Sequence, residues 1–472
     1  MTGPATGTSQ RAEARHGARG DGFGAPPGRA PSPRGGLLLG HVPAFRAAPI
    51  DFCAEAFARH GDVVRLRAGV YTAFLIRHPD DVEKVLVSGR SNFPKRTKAL
   101  DRLGVLLGEG LVSSDGELWK RQRRTIQPWF RPDRLEAYAD TMVDETESVL
   151  TAWASRPSGE PFDVTHDMMG LAFRIVARAL LGADLSEETD GVRRAVDTLQ
   201  AQTNERIFAS MSWPLWIPTR ANREFREAVD ALDEIVYRLI EAARGDPNGS
   251  VGVLHELIAA LSDDRDAKPE KMIRDELVTL LLAGHENTGN LLTWMWYLIA
   301  RHPEVEERLH AELDDRLSGR RPTASDLPRL PYARSIVLEA LRLYPTSWIT
   351  LRMTRDDDVL GGYAIPGGSW IVISPYLVHR HPDFWSEPHA FEPDRFAPES
   401  SEGRHRHAYM PFSAGSRKCI GNHFALMEAT LSLATIASRY RVVPAFDHEL
   451  VPRPLVSLPP DGPVLVTVEA RR

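Results

Sequence analysis

The sequence predicts a mainly α-helical protein with small β-sheets. Amphipathic helical periodicity runs through residues 132–200. A long helix is predicted from Pro269 to Arg301, because proline stands at its start and again just beyond its end. Residues 62–76 and 363–373 instead combine alternating apolar and polar residues with glycines, which is typical of β-hairpins. Since 42% of the 472 residues are hydrophobic, the chain can bury a sizeable core.

Charge and cysteine content exclude several classes of function. The net charge of −6 argues against nucleic acid as the main partner. Only two cysteines are present, Cys53 and Cys419, which excludes a disulfide framework, a Cys-x-x-Cys zinc site and an iron–sulfur cluster. This cysteine usage predicts a reducing compartment, and we expect a cytoplasmic protein.

The N-terminal segment differs from the rest of the chain. Residues 1–35 are rich in Gly, Ala, Arg, Ser and Pro, so we expect a disordered leader before the folded part. The sequence has neither a secretory signal nor a run of about 18 apolar residues, so we expect no membrane anchor.

The next elements follow in order after the first hairpin. A helix is predicted from His78 through Val87, and residues 88–110 form a loop-rich segment. In the helix that begins near Asp115, Trp119 and Arg123 stand four residues apart and therefore share one face. Taken alone, this basic segment is typical of a solvated helix with an aromatic anchor. Aromatic and proline residues cluster over 208–218, either as core packing or as the roof of an apolar pocket.

The long helix has a polar centre between two apolar halves. Gly284 and Gly289 within a helix each cost about 1 kcal/mol relative to alanine, and burying an unpaired Glu286 costs several kcal/mol more. One interpretation is an exposed bend. The other is that a small residue lets something pass close to the helix while Glu286 and its neighbours relay protons.

The segment 412–421 reads Phe-Ser-Ala-Gly-Ser-Arg-Lys-Cys-Ile-Gly and precedes an apolar helical run over 423–440. The positive end of that helix, together with Arg417 and Lys418, favours the thiolate form of Cys419. A lone cysteine is most often a small buried hydrophobe, but few buried cysteines stand between two glycines and beside two cations.

This pattern resembles the haem-binding loop of the cytochrome P450 family, and the matching positions are Phe412, Gly415, Arg417, Cys419 and Gly421. In that family the cysteine thiolate is the proximal ligand of haem iron, where it favours O–O bond cleavage. The resemblance implies a single triangular helical domain over residues 36–472 that encloses haem b, with Cys419 as the metal ligand.

Further motifs resemble the family in the same order along the chain. The Trp-x-x-x-Arg helix implies that Trp119 and Arg123, with Arg352 and Arg417, anchor the haem propionates. In the matching family segment the chain crosses above the haem before the propionate-binding arginine. That resemblance makes Ile349 and Thr350 candidate substrate contacts.

Glu339 and Arg342 stand three apart, which alone is typical of a surface ion pair. Because the family has a Glu-x-x-Arg helix at this place, the resemblance implies a buried structural network of Glu339, Arg342 and Arg395.

The polar centre of the long helix resembles the family's oxygen-activating helix. Gly284 would leave a groove for dioxygen, and Glu286 would be the acid of an acid–alcohol pair. The family's next residue is threonine, whereas this chain has Asn287, with Thr288 one place later. An amide does not readily shuttle a proton as a hydroxyl does, and Thr288 is turned about 100° around the helix. Water or a substrate hydroxyl could carry the proton, oxygen activation could be less tightly coupled, or the reaction could need less proton delivery.

The resemblance implies a haem-thiolate monooxygenase that inserts one oxygen atom from O2 into an apolar substrate such as a terpenoid, fatty acyl chain, polyketide or similar secondary metabolite. Electrons from NAD(P)H would arrive through a separate ferredoxin or flavodoxin and its reductase, because the chain has too few cysteines for an iron–sulfur module and no residual length for a flavin reductase. A candidate docking face comprises Arg121, Arg124, Arg131, Arg134 and Lys418.

Two alternatives to this function stay open. A haem-thiolate isomerase, dehydratase or peroxygenase would need no external electrons. Asn287, in place of the family's threonine, leaves that alternative open. A haem-based sensor or ligand-binding protein would have no turnover at all.

Overall fold

The computed structural model describes residues 28–95, 104, 107–182, 191, 194–196, 198–199, 201–203, 214–245, 253–262 and 269–471. Its α-helices are α1 (Val42–Ala47), α2 (Pro49–His60), α3 (Pro79–Glu83), α4 (Gly116–Ile126), α5 (Pro132–Leu135), α6 (Ala139–Ala154), α7 (Val164–Leu181), α8 (Arg220–Gly245), α9 (Val253–Ser262), α10 (Pro269–Arg301), α11 (Pro303–Leu317), α12 (Pro331–Leu343), α13 (Pro375–Val378), α14 (Pro398–Ser401) and α15 (Asn422–Ala437).

The strands are β1 (Val63–Ala68), β2 (Tyr71–Ile76), β3 (Phe162–Asp163), β4 (Thr350–Met353), β5 (Asp358–Leu360), β6 (Tyr363–Ile365), β7 (Trp370–Ile373), β8 (Tyr440–Pro444) and β9 (Leu465–Ala470). They form a four-stranded sheet of order β1-β2-β7-β4, a three-stranded sheet of order β3-β9-β8 and the pair β5-β6. The predicted mainly helical fold with small sheets is confirmed.

The predicted hairpin over 62–76 is confirmed as the antiparallel pair β1 and β2. The prediction of a second hairpin over 363–373 is wrong, because its two halves belong to different sheets. β6 pairs with β5, whereas β7 runs parallel to β2 and antiparallel to β4. The turn between them is held by Thr354, whose hydroxyl donates to the Pro366 carbonyl over 2.9 Å and whose own carbonyl accepts from Gly368.

The expected leader is too long at its C-terminal end. Ala30 is buried in the apolar cluster beside the four-stranded sheet, and Gly28 forms a β-bridge with Tyr363. The N–H of Arg65 also donates to the carbonyl of Pro31 over 2.8 Å. Residues 28–35 therefore belong to the folded body, while residues 1–27 of the predicted leader lie outside the described residues.

The centre of the molecule is α10 packed along α7. The helix is continuous from Pro269 to Arg301, so the predicted helix is confirmed and its polar centre is not a bend. A Cβ on Gly284 would lie 2.7 Å from Cγ2 of Val176 in α7, and one on Gly289 would overlap the sulfur of Met169. The two glycines thus allow the helices to approach closely, and α7 is the element that passes next to them.

α15 begins one residue before the predicted helix over 423–440 and ends at Ala437, after which Tyr440 starts β8. None of the helices within the described residues combines the length and hydrophobicity that crossing a bilayer requires. Residues 208–213 of the predicted roof, and parts of its flanking segments, lie outside the described residues.

Candidate active site

The cysteine loop, which is the segment 412–421, is a tight turn that ends immediately before α15. Gly415 has a φ of 71°, and a Cβ there would overlap the carbonyl oxygen of Leu86, so only glycine fits. The N–H of Cys419 donates to the carbonyl of Phe412 over 2.9 Å. Gly421 is the N-cap residue of α15, so Cys419 lies at the positive end of this helix.

The two cysteines have different surroundings. Cys53 is buried among apolar side chains, and burial raises the pKa of its thiol to about 12. Cys419 is exposed, although neighbouring protein atoms surround much of its thiol. Burial also raises the pKa of Cys419, but the N–H of Gly421 and the charges of Arg123 and Lys418 act in the opposite direction. Of the two thiols, Cys419 is therefore the one that is exposed and has cations beside it, as a metal ligand requires.

A cation cluster connects this loop with α4. The guanidinium of Arg417 lies 3.8 Å from the ring centroid of Trp119, donates to the carbonyl of Ser114 over 3.0 Å and pairs with Asp115. Arg123 donates to the carbonyl of Lys418 over 2.9 Å. The structure therefore brings together the predicted residues of the Trp-x-x-x-Arg helix and the cysteine loop.

Two further cations join the cluster from other segments. Arg352 in β4 is buried, and burial together with Arg417 lowers its pKa to about 10. Lys95 donates to the carbonyl of Val112 over 2.7 Å, and burial together with Arg352 and Arg417 lowers its pKa to about 7. Lys95 was not predicted from the sequence, because it lies in a loop whose local pattern gives no reason to single it out.

The charge of this cluster is incompletely balanced among the described residues. The cluster contains four basic groups, those of Lys95, Arg123, Arg352 and Arg417. The charge of Asp115 partly offsets the lowering of the pKa of Lys95, Arg352 and Arg417. Buried charges are stable only when they are paired, so the cluster fits a ligand with two carboxylates. A thiolate-bound haem, whose two propionates carry negative charge, meets this requirement.

The other group of predicted site residues lies on α10, and we call it the α10 side. Ala283 is exposed although most of this helix is buried, and Asn287 lies one turn later on the same face. The amide of Asn287 donates to the carbonyl of Ala283 over 2.9 Å. Thr288 is buried and points elsewhere, so it does not take the place of Asn287. The predicted place of Gly284 beside the cofactor stays a prediction, since its Cβ position faces α7.

Glu286 has a partner that the sequence did not indicate. The hydroxyl of Ser457 donates to Oε1 of Glu286, and the amide of Asn290 donates to the same hydroxyl over 3.1 Å. Ser457 is buried, and it lies 171 residues from Glu286 in the chain. Only the folded structure reveals this pairing.

The segment around Ser457 is fixed at both ends by indole N–H groups. Trp348 donates to the carbonyl of Leu455 over 2.8 Å, and Trp294 of α10 donates to the carbonyl of Leu458 over 2.7 Å. Between these anchors Val456 is 38% exposed. The anchors therefore hold Ser457 in place against α10.

The candidate substrate contacts occupy unequal positions. Ile349 packs against the apolar cluster beneath the four-stranded sheet, and Thr350 accepts a hydrogen bond from Arg352 over 3.1 Å. Ser347, two residues before Ile349, is exposed between the buried Thr346 and Trp348. Solvent thus reaches Ser347 more freely than either predicted contact.

The predicted structural network is assembled as the motif implies. Arg342 makes two bonds to Glu339, of 2.7 and 2.8 Å, with both side chains fully buried. Nε of Arg395 lies 3.4 Å from Oε1 of Glu339. The residues of the candidate docking face are all exposed, namely Arg121, Arg124, Arg131, Arg134 and Lys418.

Comparison with known proteins agrees with this geometry. The sequence model of the family described as "Cytochrome P450" matches residues 30–466. "Cyclooctatin synthase" of Streptomyces melanosporofaciens is 39% identical over 93% of this chain and 95% of its own length. "Cyclooctat-9-en-7-ol 5-monooxygenase" of the same organism is 36% identical, over 86% of this chain and 88% of its own length. "Pentalenene oxygenase" of Streptomyces avermitilis is 35% identical, over 89% of this chain and 93% of its own length. The structure titled "Crystal structure of cytochrome P450DA heme domain" superimposes with a TM-score of 0.85 at 27% identity, covering 94% of this chain and 98% of that one.

Proposed function

This chain belongs to the cytochrome P450 monooxygenase family, and from that premise we propose that it inserts one oxygen atom of O2 into a terpenoid, with Cys419 as the ligand of haem b. The observation that carries the proposal is that Cys419 is exposed at the start of α15 and lies beside the cation cluster. Haem, when bound there, supplies the iron at which O2 is reduced.

The protein residues divide the remaining work. Lys95, Arg123, Arg352 and Arg417 would hold the two propionates of a bound haem, and Trp119 supports Arg417 by stacking. Since these cations come from four separate segments, the propionates would join those segments once the haem is bound. The affinity for haem therefore depends on the fold as a whole.

Proton delivery falls to Glu286 in this proposal. Ser457 positions its carboxyl group, and Asn287 replaces the usual alcohol on the face of the site. Because the amide of Asn287 is bonded to the carbonyl of Ala283, it orders the helix without carrying a proton. Water or a substrate hydroxyl is therefore the carrier between Glu286 and the reaction.

The substrate class rests on the relatives, which include a cyclooctatin synthase and a pentalenene oxygenase. The exposed apolar residues Ala283 and Val456 lie close in sequence to Glu286 and its partner Ser457, and such surface suits a substrate of low polarity. Electrons come from NAD(P)H through a reductase and a ferredoxin or flavodoxin. The ferredoxin or flavodoxin docks on the exposed basic face that comprises Arg121, Arg124, Arg131, Arg134 and Lys418.

Spectroscopy and turnover test the proposal together. We expect the protein to take up haem, to give the red-shifted absorption of a thiolate complex when reduced under carbon monoxide, and to oxidise a cyclic terpene hydrocarbon with labelled O2, NAD(P)H, ferredoxin and reductase. Incorporation of one labelled atom is the expected result. A colourless protein, or a carbon-monoxide adduct without the red shift, would overturn it.

Other outcomes identify the alternatives. Conversion that persists without reductase indicates an isomerase or dehydratase, and conversion with peroxide alone indicates a peroxygenase. Failure to turn over any bound substrate with competent partners indicates a sensor or ligand-binding protein.

A further inference from the structure

Three consecutive leucines form the tip of an exposed turn at one edge of the four-stranded sheet. Gly36 and Gly40 close the turn through a 2.9 Å backbone hydrogen bond, and Leu37, Leu38 and Leu39 are 93%, 88% and 53% exposed. Val70, at the tip of the adjoining β1–β2 hairpin, is 91% exposed. We call Leu37–Leu39 and Val70 the leucine tip. Such contiguous exposed apolar residues mark an interaction site.

Contacts between the two segments hold the leucine tip together. The N–H of Gly69 lies 3.4 Å from the carbonyl of Leu39, and Gly40 forms a β-bridge with Ala68. The side chain of Arg67 donates to the carbonyl of Leu37 over 2.6 Å. The leucines therefore project from a braced turn, and their exposure does not depend on an unstructured loop.

The two segments that form the leucine tip carry acidic side chains at no position and arginines at several. Residues 28–50 and 63–76 contain no aspartate or glutamate, although the whole chain has a net charge of −6. Arg29 and Arg67 lie close enough to Arg65 that their charges lower its pKa, in addition to the larger effect of burial. The arginines of these two segments are Arg29, Arg34, Arg46, Arg65 and Arg67.

We propose that the leucine tip inserts into the surface of an anionic lipid bilayer. An apolar tip bordered by cations matches a membrane, whose acyl region takes the leucines and whose acidic headgroups attract the arginines. A projecting turn of aliphatic side chains gains from insertion into a fluid phase, whereas protein interfaces are centred on a packed patch rich in aromatic residues.

Bilayer binding through the leucine tip would serve the proposed function. The turn adjoins β1 at one edge of the sheet, and β4, which contains Arg352, forms the other edge. A terpene hydrocarbon concentrates in bilayers, so a membrane-bound enzyme meets more of its substrate. This benefit rests on the proposed function, whereas bilayer binding itself does not.

Co-sedimentation of the full-length haem-loaded protein with vesicles tests the proposal. We expect binding to phosphatidylglycerol vesicles that falls as salt is raised, and little binding to phosphatidylcholine vesicles. The double variant Leu37→Ser, Leu38→Ser should bind phosphatidylglycerol vesicles at least about tenfold more weakly. Arg34→Gln should weaken binding about fivefold.

Matched changes elsewhere serve as controls. Val451→Ser alters another exposed aliphatic residue, 54% exposed, and Arg220→Gln removes a cation from the surface of α8. Both should bind vesicles like the unaltered protein, and unchanged melting temperatures should show that all four variants fold. Equal vesicle binding by the leucine variant and the unaltered protein would overturn the proposal.

Two other results would also overturn it. If removal of residues 1–27 abolishes binding while the leucine variant binds normally, the N-terminal segment is the lipid contact. If the leucine variant converts a dimer to a monomer and the unaltered protein ignores vesicles, the tip is an interface between two copies of this chain.

Discussion

The two sides of the candidate site are assembled in different ways. On the cysteine side, Cys419 is oriented by its own loop, through the carbonyl of Phe412 and the start of α15. On the α10 side, Glu286 depends on Ser457, which is far away in sequence and is itself held by Trp294 and Trp348. The proposed haem ligand is thus positioned by local sequence, whereas the position of the proposed proton donor depends on tertiary packing.

The largest effect is expected on the cysteine side. Cys419→Ser should abolish the red-shifted absorption of the reduced carbon-monoxide complex, because a hydroxyl cannot act as a thiolate ligand at neutral pH. The chain supplies a matched control in its second cysteine. Cys53→Ala removes a buried thiol outside the site and should keep the absorption. Loss of the band in both variants, or in neither, would contradict the assignment of Cys419.

A second prediction concerns the buried network behind this side. Glu339→Gln should lower the free energy of unfolding by about 3–5 kcal/mol, since it leaves the buried Arg342 without a carboxylate and Arg395 with only the half-exposed Glu392. Arg308→Gln breaks an equally close pair with Asp394 whose side chains are 55% and 59% exposed, and should cost less than about 1 kcal/mol. Equal losses in urea denaturation would show that burial of the network contributes nothing.

The contrast between the two sides also explains what the sequence could predict. The cysteine loop, the Trp119–Arg123 spacing and the Glu339–Arg342 pair are short-range patterns, and the structure brings each of them to the expected place. Lys95 and Ser457 were missed because their roles arise only when distant segments meet. The second hairpin was predicted wrongly for a related reason, since strand partners are chosen across the whole sheet.

On the α10 side, we expect turnover to depend on Ser457, the distant partner of Glu286. Ser457→Ala removes a hydrogen bond to the carboxyl group of Glu286, which is worth about 1.5–3 kcal/mol if that group is ionised. We expect product formed per NAD(P)H consumed to fall about tenfold and the solvent isotope effect on turnover to change. Thr293→Ala, on the same helix, removes a buried hydroxyl that donates to the carbonyl of Gly289 over 2.8 Å, and should leave both quantities unchanged. An unaltered isotope effect in Ser457→Ala would separate Ser457 from proton delivery.

The smallest effect is a pH dependence on the cofactor side. The pKa of Lys95 is lowered from 10.5 to about 7 in the folded protein without haem, so between these values the unfolded chain binds more protons. The contribution of Lys95 to the free energy of unfolding therefore rises with pH across this window. A haem propionate favours the charged lysine, so haem binding should flatten the rise.

Urea unfolding of the haem-free protein should show a pH-dependent difference from Lys95→Met, but not from Lys120→Met, which alters a lysine that is 57% exposed. A difference that persists unchanged with haem bound would show that Lys95 does not contact a propionate, and would reduce the cation cluster to its three arginines.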